Sequence, residues 1–147
     1  MPLFNLNRKP KAEYKIVSGR HENLDFVGHY DFKLLKYKSK SSYPYMLGIS
    51  IQGFATDDRK LPTNDARPTI DVFEDKLTDL VKKSTESIYA GHSFWNGALE
   101  VIFYIRDYES VIKALESEAK KKSALTFTFR IDSDPRWQQL DYLTYTR

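Results

Sequence analysis

The sequence predicts an α+β fold, a ferredoxin-like β-α-β-β-α-β antiparallel sheet with two helices on one face, plus N-terminal strand(s) and a short C-terminal tail. Two segments repeat apolar residues at the three- and four-residue spacing of an amphipathic helix. Asn96-Gly97 separates two apolar runs, as in a tight hairpin, and Leu125–Ile131 alternates apolar and polar residues, as in a half-buried strand. These patterns set the predicted order of elements from Tyr45 onward.

The first part of the chain, Tyr14–Lys38, is rich in β-branched and aromatic residues. This composition predicts one or two strands. We expect a break at Ser18-Gly19 and the firmer strand at Tyr30–Tyr37, followed by a turn at Ser39–Pro44.

The middle of the chain predicts a strand, a loop and a helix. The strand is Tyr45–Phe54, and residues 55–68 are a loop by composition. The helix begins near Pro68 and ends at Lys82 and Lys83, since proline is suited to a first turn and cations to a last turn. Its apolar face consists of Ile70, Phe73, Leu77, Leu80 and Val81.

The second half predicts a hairpin, a helix and a last strand. The hairpin joins Ser87–Trp95 to Ala98–Ile105, because Asn-Gly suits a type I′ turn that needs positive φ at two residues. The helix extends from Tyr108 to Lys121, and the strand follows at Leu125–Ile131.

Right-handed crossovers place both predicted helices on one face of the sheet. The residues expected to face the helices are Leu47, Ile49, Ile51, Leu99, Val101, Phe103, Ile105, Leu125, Phe127, Phe129 and Ile131. The other face of the strand from 98 to 105 is half apolar, since it carries Ala98, Glu100, Ile102 and Tyr104. We therefore expect the N-terminal strands or the C-terminal tail to cover part of it.

The chain has 147 residues, of which 41% are hydrophobic and 29% charged, values typical of a globular domain. Residues 1–13 are polar and basic and predict a flexible N-terminal arm, so residues 14–147 are expected to form a single α+β domain. We find neither the apolar core of a secretory signal nor a membrane span. A cytoplasmic location is the resulting expectation.

Several kinds of chemistry are absent from the sequence. With no cysteine, the chain has no disulfide, no Cys-based zinc site and no Cys nucleophile, and its three histidines show no metal-ligand spacing. No glycine-rich phosphate-binding motif occurs. His29 and Asp31 are placed to pair on one strand face, but nothing indicates a positioned serine or an oxyanion hole. We expect no enzyme, no cofactor and no metal; an enzyme with unrecognised carboxylate chemistry is the open alternative.

The tail after the last strand contains Asp134-Pro135, which starts a turn, and Trp137. A tryptophan in so short a tail either anchors the tail on its own domain, the interpretation we favour, or contacts a partner. The open sheet face and the tail together form the predicted binding surface, which consists of Tyr104, Arg106, Arg130, Trp137 and Tyr142.

Four blocks of the sequence resemble the domain-of-unknown-function family 695, whose fold is related to the regulator of ribonuclease activity B. They are Tyr30-Asp31-Phe32, Phe73-Glu74-Asp75-Lys76-Leu77, the set Gly91, Asn96-Gly97 and Phe103-Tyr104, and Asp134-Pro135-Arg136-Trp137 with Leu143 and Tyr145. The resemblance covers residues 30–147. It implies a small cytoplasmic bacterial domain that binds another macromolecule, and it supplies no catalytic residue.

The leading hypothesis, which the resemblance implies, is a protein-interaction regulator. We expect it to be a monomer or homodimer whose partner is a protein such as a nuclease or toxin. An immunity or antitoxin-like inhibitor is the first alternative. The second is an RNA-binding module that uses the cluster of Lys33, Lys36, Lys38 and Lys40. A net charge of +3 is low for a dedicated nucleic-acid binder, and the aromatic segment of the RNA recognition motif is missing.

Overall fold

A computed structural model describes residues 11–145; residues 1–10 of the predicted arm lie outside the described residues. The described strands form one six-stranded antiparallel sheet in the order β1-β2-β4-β5-β3-β6. The strands are β1 Tyr14–His21, β2 Leu24–Asp31, β3 Tyr45–Gln52, β4 Ser87–Trp95, β5 Ala98–Ile105 and β6 Thr126–Ser133. The α-helices are α1 Arg67–Ser84, α2 Glu109–Ala119 and α3 Gln138–Thr144.

The predicted mixed α+β class is confirmed, and the predicted N-terminal strands are present as part of the same sheet. The described sheet has six strands, because the β1–β2 hairpin adds two strands beside β4. The tail forms a third helix, α3, where two helices were predicted. No helix among residues 11–145 is both long enough and apolar enough to cross a bilayer.

The N-terminal strands differ from their prediction. Ser18 and Gly19 do not break the chain; they lie inside β1, and the turn falls at Glu22 and Asn23, whose φ angles are 49° and 66°. The predicted strand Tyr30–Tyr37 is also wrong, since β2 ends at Asp31 and a short 3₁₀ helix follows at Phe32–Lys36. The cause is the carboxylate of Asp31, which accepts the backbone N–H of Lys33 at 3.1 Å and so caps that helix.

The core between the sheet and α1 and α2 confirms the predicted helix-facing set. Eight of those residues are buried there: Leu47, Ile49, Ile51, Leu99, Val101, Phe103, Ile105 and Leu125. Phe127, Phe129 and Ile131 pack against the same core but stay partly exposed, because β6 is an edge strand with one neighbour.

A second core lies on the opposite face of the sheet. Ile102 and Tyr104 are fully buried beneath Trp137 and Leu140 of the tail and Leu34 of the 3₁₀ helix. The expectation that the tail covers this face is therefore confirmed. The N-terminal strands extend the sheet sideways instead of lying over it, although the Val17 side chain reaches the edge of this core.

Candidate functional site

The tail is fastened to the sheet by the carboxylate of Asp134, which is buried beside Tyr104. It accepts the Tyr104 hydroxyl at 2.8 Å and the backbone N–H groups of Gln138 and Gln139 at 2.8 and 3.0 Å. The last two are unpaired N–H groups of the first turn of α3, which need an acceptor of this kind. Asp134 therefore joins β5 to the start of α3.

Trp137 completes this anchor. Its ring stacks on Tyr104, with centroids 4.2 Å apart and planes 15° from parallel, and it also stacks on Tyr37, with centroids 5.5 Å apart. The indole N–H donates to the carbonyl of Tyr43 at 2.9 Å. Because the side chain is fully buried with its one donor satisfied, the favoured interpretation of Trp137 as an anchor is confirmed.

These contacts correct the predicted binding surface. Tyr104 and Trp137 are both 0% exposed, so neither can contact a partner of the folded domain. Arg106 is partly exposed and pairs with Glu86 at 2.8 Å, while its guanidinium lies 5.4 Å from the ring centre of Tyr43. It supports the segment that receives the Trp137 indole and takes no part in the groove described next.

The other two predicted residues, Arg130 and Tyr142, line one groove beside α3. We call it the tail groove; it has a volume of about 390 Å³ and is lined by Glu100, Arg130, Gln138, Gln139, Tyr142 and Leu143. Tyr142 is 69% exposed, because the helical spacing that buries Leu140 and Thr144 turns it outward. Glu100 lies on the predicted face of β5 but was not among the predicted site residues.

Arg130 is the electrostatic centre of the tail groove. Its guanidinium contacts the carboxylate of Asp132, lies 3.7 Å from that of Glu100 and donates to the amide oxygen of Gln139 at 3.2 Å. Both carboxylates are partly exposed, at 46% for Asp132 and 38% for Glu100. Glu100 lines the groove, whereas Asp132 borders it through its contacts with Arg130 and Gln139. Two carboxylates thus contact one guanidinium, so these three side chains carry two negative charges and one positive charge.

The sheet beyond the tail groove stays open to solvent. Ser50 of β3 lies opposite Glu100 on one side and Thr128 on the other, so the three share the face of the groove. Thr128 and Gln52 are exposed, and Ser50 and Glu100 are half-buried. One half of the predicted open face is therefore a polar surface beside α3, which we call the polar half-sheet. The other half of this sheet face is buried in the second core.

A second polar cluster, which was not predicted, lies on the α1 side of the sheet; we call it the Glu74 cluster, and it consists of Glu74, Tyr89, His92 and His29. The carboxylate of Glu74 is nearly buried, accepts the Tyr89 hydroxyl at 2.7 Å and lies 2.7 Å from Nδ1 of His92. Because a carboxylate only accepts, Nδ1 of His92 carries the proton in this contact. His29, directly across the strands from His92, packs edge-on against it with centroids 5.7 Å apart.

The pKa values in this cluster follow from burial. Burial raises the pKa of Tyr89 far above its usual range, and the neighbouring Glu74 carboxylate adds to the effect. Burial also lowers the pKa of His29, with help from His92 and Arg67 nearby. The signal for this cluster was present in the sequence, since Glu74 interrupts the apolar stripe of α1 between Phe73 and Leu77.

The predicted pairing of His29 with Asp31 is not formed. Asp31 is fully buried and accepts the backbone N–H groups of Glu13 and Lys33, whereas His29 packs against His92. Within residues 11–145, no group of three or more His, Asp or Glu side chains is arranged to hold a metal ion.

Comparison with known proteins places this chain in a family. The family model described as "Family of unknown function (DUF695)" matches residues 15–144, a span that contains the tail anchor, the tail groove and the Glu74 cluster. No curated protein and no solved structure matches the chain in the same comparisons. Since the match covers most of the sequence, the chain belongs to the DUF695 family.

Proposed function

We propose that this chain is a non-enzymatic cytoplasmic domain that binds another protein through the tail groove. The observation that supports it best is the position of Tyr142, an aromatic side chain left 69% exposed at the edge of an open sheet face and beside Arg130. Tyrosine and arginine are enriched where proteins bind one another. Tyr142 lies on α3, which follows the Trp137 anchor, and Arg130 lies on β6, which pairs with β3.

The finer part of this proposal is a regulatory role like that of the regulator of ribonuclease activity B. The strand order β4-β5-β3-β6, with α1 and α2 on one face, supports a ferredoxin-like unit inside the larger sheet. An immunity or antitoxin-like inhibitor would use the same groove. It would be distinguished by a co-purified partner that is toxic when expressed alone.

The test is affinity capture from the native cell with three forms of the full chain. The variant Tyr142→Ala removes the exposed ring of the tail groove, and Val72→Ala is the matched control, an exposed apolar residue of α1 on the other side of the sheet. We expect wild type and Val72→Ala to retain the same protein and Tyr142→Ala to lose it. Equal retention by all three forms would reject the tail groove as the binding surface.

The RNA-binding alternative has weaker support. Of its four lysines, Lys33 lies 3.5 Å from the carboxylate of Glu13, and Lys40 donates to the carbonyl of Leu35 at 2.7 Å, so Lys36 and Lys38 are the exposed pair that remains for phosphates. Fluorescence anisotropy with a single-stranded RNA tests it. Phosphate binding requires affinity that falls steeply with salt, and no binding at low salt excludes it.

A further inference from the structure

The charge of the tail groove restricts what can bind there. An acidic side chain or a phosphate would meet the carboxylate of Glu100 in the groove and that of Asp132 at its border, and Arg130, the cation that lines the groove, already contacts both of them. A cationic side chain would instead be attracted by these carboxylates. Two carboxylates that share a single guanidinium can accept hydrogen bonds from a second one.

The ring of Tyr142 adds a second feature that suits a cation. It lines the same groove as Glu100, and its exposure leaves a π face open to a guanidinium, which stacks on aromatic rings more readily than an ammonium group does. The amide groups of Gln138 and Gln139 lie along the same wall and offer further acceptors. Carboxylates beside an aromatic face are therefore complementary to arginine.

Resting on the proposed function, we propose that the protein partner inserts an arginine side chain into the tail groove. The planar guanidinium stacks on Tyr142 and donates to the carboxylate of Glu100, which lines the groove beside Arg130. The partner surface around this arginine is basic or neutral, since Glu100 and the bordering Asp132 carry two negative charges against the one positive charge of Arg130.

The test uses a small probe, N-acetyl-arginine methylamide, whose only charge is the guanidinium. It is titrated into the full chain labelled with ¹⁵N, and amide chemical shifts are followed. We expect saturable shifts at Glu100, Arg130 and Tyr142, and none of comparable size with the neutral probe N-acetyl-glutamine methylamide. The variant Glu100→Gln should weaken binding of the arginine probe about twofold to fivefold, because it removes the carboxylate partner of the guanidinium.

Glu86→Gln is the matched control, since Glu86 is an exposed carboxylate that pairs with Arg106 outside the groove. It should bind the arginine probe like wild type. Absence of saturable shifts in the groove, equal shifts with the glutamine probe, or equal affinity of the Glu100→Gln variant would each overturn the inference. If Tyr142→Ala loses the captured protein but the arginine probe does not bind, the proposed protein-binding function is supported and the inference of an inserted arginine is rejected.

Discussion

At the scale of single residues, one buried carboxylate organises the C-terminal tail. Asp134 accepts from the Tyr104 hydroxyl of the sheet and from two backbone N–H groups of α3. Its partner hydroxyl also accepts from the backbone N–H of Leu140, at 3.3 Å. The resemblance block Asp134-Pro135-Arg136-Trp137 thus has a structural role, because its aspartate and tryptophan both hold the tail on Tyr104.

Replacing Trp137 by alanine should destabilise the domain strongly. The substitution removes a fully buried ring that stacks on Tyr104 and Tyr37, and it leaves the carbonyl of Tyr43 without its donor. We expect the free energy of unfolding to fall by about 3–5 kcal/mol in urea denaturation. Tyr142→Ala, on the exposed side of the same helix, should change it by less than about 0.5 kcal/mol. Similar values for the two variants would contradict the anchor.

His29 should make the domain less stable in acid. Burial, His92 and Arg67 lower its pKa in the folded state, so the unfolded chain binds this proton more readily. Its contribution to stability is therefore complete above the unfolded pKa of about 6.5 and is lost as the pH falls below it. We expect wild type to lose more unfolding free energy than His29→Gln between pH 7.5 and pH 5.0. An equal loss of unfolding free energy in both forms would show that His29 does not cause the lower stability in acid.

At the scale of elements, β4 depends on a glycine where it crosses β2. Gly91 lies at a bulge in the β4–β5 pairing, with a φ of 147°, and a Cβ atom there would lie 2.2 Å from the carbonyl oxygen of His29. The backbones of β2 and β4 are too close for any side chain at this point. His29 and His92 are partners one position further along the same two strands.

The substitution Gly91→Ala should therefore lower the free energy of unfolding by about 3 kcal/mol or more, since both the backbone conformation and the contact are unfavourable. Gly97→Ala is the matched control, because its φ of 75° is also positive but nothing lies within 4 Å of its Cβ position. Gly97→Ala should lower the free energy of unfolding by about 1–2 kcal/mol. Chemical denaturation measures both, and equal losses would show that the close approach to His29 is not limiting.

The sequence predicted elements where local signals suffice and missed those that depend on distant contacts. Asn96-Gly97 placed the hairpin turn correctly, and the observed α1, Arg67–Ser84, lies within about one residue of its prediction. The turn at Glu22 and Asn23 was missed, because positive φ at two such residues has no strong local signature. α3 lies in the predicted tail, and its start has no local signal, since it requires Trp137 to adopt a left-handed conformation that buries the ring on Tyr104.

The candidate site was predicted less well than the fold. Arg130 and Tyr142 do lie together, because the parity of β6 and the spacing of α3 direct both to one face. Tyr104 and Trp137 were assigned to the same surface, although each is buried by the other. Periodicity tells which face a side chain occupies but not what covers that face, and here the cover is a segment remote in sequence.

At the scale of the whole molecule, one sheet separates two cores of different construction. Its helix side is an apolar layer beneath α1 and α2 that also contains the Glu74 cluster, whereas its other side is covered only in part, by α3 and the Phe32–Lys36 helix. The uncovered part of that second face is the polar half-sheet beside the tail groove. A partner that docks there would meet a surface whose position is fixed by the rigid centre of the sheet.

The strands should accordingly differ in their local stability. β3 and β5 have neighbours on both sides and bury residues on both faces, whereas β1 pairs with β2 alone and buries only Val17. In native-state hydrogen exchange we expect β3 and β5 amides to exchange only through global unfolding, and β1 amides to exchange through a cheaper local opening. Denaturant should then accelerate exchange in β5 much more steeply than in β1. Equal denaturant slopes in β1 and β5 would mean that the edge hairpin opens only together with the whole sheet. In that case Tyr14–His21 would belong to the same cooperative unit as the strands that support the tail groove.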